Sequence, residues 1–243
     1  MRNFVDQFAQ ELQRPTPRLE RLALAIAGLG SPELDAPGCL RQLDELAELM
    51  RVELVGVPAG RPRAERFLAV LTQDFGFTGN QDDYYDPSNS YLNEVLRKRV
   101  GLPIMLSLIC IALGERLELD VVGGGFPGHF MARYQDALGA WLLDPFHGAV
   151  VEPAEADHYL SQLFQRQILL TAEMHRAVST SALAQRILNN LRNVFLSRGD
   201  YSMAASVLDF MLVLAPLDSS LWQERGLLHY YAQQWEYAAR GGL

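Results

Sequence analysis

Sulfur is scarce in this chain. Its 243 residues hold two cysteines, Cys39 and Cys110, far apart in sequence. No CxxC and no Cys/His ligand spacing occurs, so the sequence assigns no metal site and argues against structural zinc. One distant pair makes no disulfide scaffold, and a reducing, cytoplasmic compartment fits it better. Long hydrophobic runs are missing as well. The longest, Leu102 to Leu113, is too short to span a bilayer and reads as a buried helix. The opening "MRNFVDQFAQELQRP" is charged throughout and lacks the apolar stretch of a signal peptide. Basic charge is sparse: the formal net charge is −8, the pI about 5.1, and "RKR" at 97–99 is a short local patch. Nucleic acid and anionic membrane surfaces need clustered Lys and Arg, so neither is expected as a partner. No Walker-type loop is present. The "GGG" at 123–125 leads into a strand rather than a helix and is no phosphate cradle. No cofactor is assigned.

What remains is an ordinary globular composition, 49% hydrophobic and 21% charged, with length for one large domain or two small ones. Residues 1–75 are expected to be helical. "LERLALAIAGL" and "LRQLDELAELMRVEL" repeat leucines at spacings of three and four, and "PAGRPRAERFLAVLTQDFGF" starts a further helix that stops at Gly76. Residues 76–160 change character. A polar, aromatic stretch passes into a short helix capped by Ser88 or Asn89. An apolar helix follows over 103–117, and then come strands in "LDVVGGGF", "HFMARY" and "AWLLDPF". From 161 to 243 the chain is helical again and carries an internal repeat. With Pro216 as the closing proline of a tetratricopeptide unit, Leu191, Phe195, Gly199, Tyr201, Ala204 and Leu208 take the packing positions. The 34-residue period then puts Trp222, Gly226, Trp235 and Ala238 in matching slots. The aromatics are expected to fill the groove between paired helices. The chain stops inside the second helix of the second unit, which suggests an incomplete C-terminus.

The chemistry concentrates in the middle segment. If "QDAL" forms a four-residue loop from Gln135 to Leu138, Tyr134 faces Gly139, and counting outward His129 faces Asp144. Direct cross-strand neighbours lie about 4.5–5.5 Å apart at Cβ, close enough for an aspartate to orient an imidazole. That is the base and orienter of a catalytic triad. A structural pair closing a sheet edge uses the same two residues. The missing part is the nucleophile. A helix start stabilises a thiolate, yet this one reads Pro103, Ile104, Met105. Cys110 lies two turns, roughly 10 Å, further along. Ser107, one turn in, is a candidate hydroxyl with a helix-packing serine as its plain alternative. Asn89 and Asn93 stand one helical turn apart and, with Pro103, Phe130 and His147, are candidate lining for a cleft. His147 either joins that pocket or closes the turn after Pro145. "DDYYDP" is read as a polar loop.

The series "NSYLNEVL…GLPI…GFPGHF…DPFHG" resembles the bacterial SirB-type family: transglutaminase-like domains followed by tetratricopeptide repeats, with one branch labelled an invasion regulator. A similar block occurs in some eukaryotic F-box proteins. The resemblance covers roughly residues 30–243 and implies an α+β fold. That fold is a papain/transglutaminase-like core of N-terminal helices plus a small antiparallel sheet, followed by all-α tetratricopeptide helices. It carries the family's His to His129 and its Asp to Asp144, and it places the cysteine slot at or beside Pro103. Loss of the thiol implies a non-catalytic protein- or peptide-binding regulatory module, its protein partner held by the repeat helices, with a peptide or small ligand as candidate occupant of the cleft. The alternative is a hydrolase or acyltransferase that uses His129 and Asp144 with Ser107 or an activated water.

Overall fold

The computed structural model describes residues 2–171, 173–174 and 176–240. In chain order these form α1 (Arg2–Leu12), α2 (Leu19–Ala27), α3 (Ala36–Glu53), α4 (Arg61–Ala69) with a π-turn over Val70–Asp74, β1 (Thr78–Gly79), a 3₁₀ turn at Pro87–Ser90, α5 (Leu92–Lys98), β2 (Val100–Gly101) and α6 (Pro103–Arg116). Then come β3 (Asp120–Phe126), β4 (His129–Asp136), β5 (Gly139–Asp144), β6 (Ala149–Val151), α7 (Ala156–Phe164), α8 (Thr180–Ser197), α9 (Tyr201–Leu214), α10 (Ser219–Tyr231) and α11 (Trp235–Arg240). The fold is α+β. Among the described residues no helix is long and apolar enough to cross a membrane. Contacts group the chain into two units that do not follow chain order. A helical unit joins the residues up to Ala36, Tyr85–Asn93 and the residues from Thr180 on, and a sheet unit joins Pro37–Tyr84 and Glu94–Ser179.

The sheet unit carries an antiparallel sheet in the order β3-β4-β5-β6. Helix α6 is apolar on nearly every face and buried from Pro103 to Cys110, so that stretch has no solvent side. It packs on β3 and β4. Pleat alternation then sorts the sheet's side chains. Val121, which meets Gly114 of α6, pairs with Tyr134, and this parity puts Phe130 and Leu143 on the α6 face. The opposite parity carries Phe126, Met131, Leu142 and Val151, which pack with Ala156 and Leu160 of α7. His129 and Asp144 share that second parity and fall on the α7 face.

The β4–β5 register corrects the expected loop. Asp136 pairs with Gly139 and Tyr134 with Trp141, so the turn is two residues, Ala137 and Leu138, and not the four of Gln135–Leu138. Asp136 selects the tighter turn. Its Oδ1 accepts the Leu138 amide at 2.9 Å, while its Oδ2 accepts the Tyr134 hydroxyl at 2.8 Å and the Gly60 amide at 2.6 Å. The register therefore shifts by two. Asp144 is a diagonal, not a direct, neighbour of His129, but an even shift keeps both on one face. The β3–β4 turn is Pro127–Gly128, with Gly128 at φ 76, a conformation that glycine adopts without steric cost. Asp86 caps the 3₁₀ turn at Pro87–Ser90, its side chain accepting the Ser88 amide at 2.9 Å.

In the helical unit α1 and α2 pack on α9 and α8. Phe8 and Phe210 meet edge-on at 5.4 Å between ring centroids. Helices α8 to α11 are joined by short turns, each packed on the next. Helix α10 ends 34 residues after α8, and α11 starts 34 after α9. The left-handed turn residues Gly199 and Gln233 keep the same offset. Leu191, Phe195, Ala204, Leu208, Gly226 and Ala238 are buried. Of the aromatics, Phe195 is buried, whereas Tyr201, Trp222 and Trp235 are exposed.

Gly79 offers a direct check of how closely the sheet unit packs. A Cβ there would stand 2.4–2.6 Å from the Phe146 ring. Gly79→Ala is expected to destabilise the protein by about 1–3 kcal/mol, read as a lower urea midpoint at unchanged m-value.

Candidate functional site

Helix α6 opens with Leu102 in an extended conformation and Pro103 at its first position, without a side-chain cap. Proline suits that place, where an amide donor would go unused. The first turn, Pro103 to Leu106, contains no thiol or hydroxyl. Ser107 is fully buried, and its Oγ donates to the Phe130 carbonyl at 3.4 Å, on the α6 face of the sheet. His129 lies on the other face. Cys110 is fully buried, and burial pushes its thiol far above the range where a thiolate forms, with the charge of Asp144 adding to the effect.

On the α7 face a hydrogen-bond cluster is built around Asp144, which closes β5 and is wholly buried. Its Oδ1 accepts the backbone amides of Phe146 at 3.0 Å and His147 at 3.2 Å, which folds the turn toward β6. Its Oδ2 accepts His129 Nε2 at 2.7 Å, His147 Nδ1 at 2.9 Å and the Tyr159 hydroxyl at 2.7 Å. An ionised carboxylate is acceptor-only, so both imidazoles carry a proton on the nitrogen that faces it. Burial pushes the Asp144 carboxyl up. The hydrogen bonds from His129, His147 and Tyr159 outweigh that and hold it well below the usual carboxylate range. Burial, followed by the charge of Asp144, pushes the Tyr159 phenol strongly up, so it remains a donor.

Aromatic rings enclose the cluster. Phe146 and Phe164 stand edge-on to His129 at 6.5 and 6.2 Å. Tyr84 meets Phe146 in turn at 6.3 Å. A chain of contacts links the start of α6 to the histidine: Gly101 pairs with Gly79, Phe146 lies on Gly79, and Phe146 meets His129. The His129 side chain is 3% exposed and that of His147 28%, so His147 is the cluster's open side. Tyr159 also lines a cavity of about 500 Å³ with Val150, Glu155, His158 and Gln162.

The structure thus brings His129, Asp144 and His147 together, and His147 both closes the turn and reaches the shared oxygen. Phe130 lies buried in β4 and Pro103 at the start of α6. Asn89 and Asn93 belong to the helical unit, where Asn89 is buried and the Asn93 amide donates to Ser31 Oγ at 3.1 Å. Sequence reasoning missed Tyr159, Phe146 and Phe164. Tyr159 arrives from a separate helix, and no spacing or motif announces it.

A family model described as the transglutaminase-like superfamily matches residues 38–189. A UPF0162 protein of Xylella fastidiosa is 32% identical over 219 residues, 85% of this chain and 75% of the relative. Protein SirB1 of Salmonella typhimurium is 25% identical over 197 residues, 79% of this chain and 71% of the relative. F-box only protein 21 of Homo sapiens is 28% identical over 178 residues, 68% of this chain and 27% of the relative. Among solved structures, that of menin, which reveals its binding site for the Mixed Lineage Leukemia protein, aligns over 99% of this chain and 68% of its own at a TM-score of 0.48 and 12% identity. That likeness is too weak to carry an argument.

Two measurements check the geometry. In the native protein Cys110 should resist thiol reagents and react only as the chain unfolds, while the half-buried Cys39 reacts first. Asp144→Asn should cost roughly 3–5 kcal/mol at neutral pH, because it removes the anion from a buried pair. The Asp144 carboxyl is held below its unfolded value of about 3.9, so its stabilisation is complete above about pH 4 and is lost as pH falls further. The variant should lack that part of the acid slope, up to about 1.4 kcal/mol per pH unit, in urea unfolding curves taken between neutral and acid pH.

Proposed function

This chain belongs to the transglutaminase-like superfamily, in its SirB-type group, and we propose that it works there as a non-catalytic, protein-binding regulatory module in the cytoplasm. The observation that carries this reading is the first turn of α6. At the place where the resemblance puts a nucleophile stands Pro103, and no thiol or hydroxyl lies within that turn. The groups further along do not substitute: Cys110 is sealed in the core, and the Ser107 hydroxyl is spent on a carbonyl on the far face of the sheet. A base and its orienter without a nucleophile hold a structure together but do not form an acyl intermediate.

The binding role rests on the helical unit. The 34-residue recurrence of helix ends and left-handed turns supports reading α8–α11 as tetratricopeptide hairpins. Their surface carries exposed rings: Trp222, Tyr230, Tyr231 and Trp235, with Tyr230 and Trp235 meeting at 5.1 Å. Clustered exposed aromatics are what protein-binding surfaces use as anchors, because they supply contact area at small entropic cost. For a peptide or small ligand, the cavity beside Tyr159 is the better-supported place. The space next to His129 is taken up by Phe146 and Phe164.

The test combines turnover and capture on the full chain. Amide, ester and glutamine substrates should stay at background, and a turnover that His129→Ala abolishes would overturn the reading. Proteins retained by the wild type from a native lysate should be lost with Tyr230→Ala/Trp235→Ala and kept with His129→Ala. Retention by the aromatic double variant would remove the binding surface from α10 and α11.

A further inference from the structure

Three atoms from separate segments converge on Asp144 Oδ2. His129 Nε2 reaches it from the start of β4, His147 Nδ1 from the turn after β5, and the Tyr159 hydroxyl from α7. The two ring nitrogens and the carboxylate oxygen all lie within 4.8 Å of one another, and among the described residues this is the one His/Cys/Asp/Glu group of three that does so. We propose that this cluster is a binding site for a zinc-type divalent cation, held by His129 Nε2, His147 Nδ1 and Asp144 Oδ2. The proposal stands apart from the protein-binding role, since it needs neither a partner nor turnover.

Two imidazoles and a carboxylate form a donor set that suits zinc, and a fourth position is left over. Tetrahedral ligands about 2.0–2.1 Å from zinc stand roughly 3.3 Å from one another. From 2.7 and 2.9 Å, each imidazole must withdraw from Oδ2 by about half an ångström. His147 has room to do so: it lies on a turn, beside Gly148 at φ 70, and its side chain is part exposed. That exposed side is also the entry path. The surroundings of an occupied site are already in place. The amides of Phe146 and His147 fix Oδ1 and so aim Oδ2 at the imidazoles, while the Tyr159 hydroxyl supplies an outer hydrogen bond.

The proton accounting is simple. Without metal, each neutral imidazole keeps its proton on the nitrogen facing Asp144. On binding, the His129 proton moves from Nε2 to Nδ1 and the His147 proton from Nδ1 to Nε2, and each freed lone pair goes to the cation. No net proton leaves a neutral pair, and each imidazole that was protonated releases one. Sequence spacing gave no sign of the site because the three ligands come together only once β4 and β5 are paired and the turn to β6 is folded.

The test uses tag-free, chelator-stripped full-length protein titrated with Co²⁺ and followed by visible absorption, with Zn²⁺ as competitor. One equivalent of Co²⁺ should give the intense bands of a four- or five-coordinate ion, bleached by Zn²⁺, and imidazole ¹⁵N spectra should report both tautomer shifts. His147→Ala should weaken binding more than about a hundredfold and Tyr159→Phe roughly tenfold. Should His147→Ala fail to fold by circular dichroism, His147→Gln, which keeps a donor for Asp144, is read in its place. Absence of one-equivalent binding at sub-millimolar metal overturns the proposal. So does binding unchanged by either His147 variant, which would assign the metal to other surface groups.

Discussion

The sheet unit is organised by one buried charge. Asp144 is wholly shielded from water, and an isolated carboxylate in that position would be prohibitively costly. Five donors make it tolerable, and they come from the β4 start, the turn after β5 and α7. Each donor ties one of those elements to the end of β5. The hydrophobic cluster of Phe126, Met131, Leu142 and Leu160 brings α7 onto the sheet without fixing its rotation. The Tyr159 hydroxyl on Asp144 supplies that rotation, because an unpaired donor or acceptor at this depth would cost about 1–3 kcal/mol.

The same constraint holds His129 to Asp144 whatever stands at the start of α6. A buried pair is expensive to break from one side only: taking away either partner strands the other. The thiol position carries no such penalty. Proline at the start of α6 loses no hydrogen bond and gains a pre-set φ. The rings of Phe146 and Phe164 stand edge-on to the same imidazole.

The sequence carried this pair to the reader through parity rather than register. The loop count was wrong by two residues, because Asp136 draws the chain into a tighter turn than "QDAL" suggests. An error of two leaves every side chain on its face, so His129 and Asp144 still meet, now diagonally. Helix α6 was equally legible, since a run apolar on all sides has only one place to go. So was the 34-residue period, which recurs in helix ends and turn conformations alike. Tyr159, Phe146 and Phe164 were not legible. Their roles depend on which way α7 and the β5–β6 turn pack, and that is set by tertiary contacts with no local signature. The exposure of Trp222 and Trp235 has a related cause: spacing fixes where a residue sits along its helix, but not whether a neighbour covers it.

The grouping of the chain follows from the same distinction between local pattern and long-range packing. Helices α1 and α2 are amphipathic, and neither can bury its apolar face alone. Their partners are α9 and α8, far along the chain from Thr180 on, with Phe8 against Phe210. A boundary drawn in chain order near residue 160 would leave Leu22 and Phe8, both wholly buried, without the surfaces that bury them. Helices α8 and α9 therefore do not stand apart from the beginning of the chain. They share a core with α1 and α2, in the same unit that carries the exposed rings of α10.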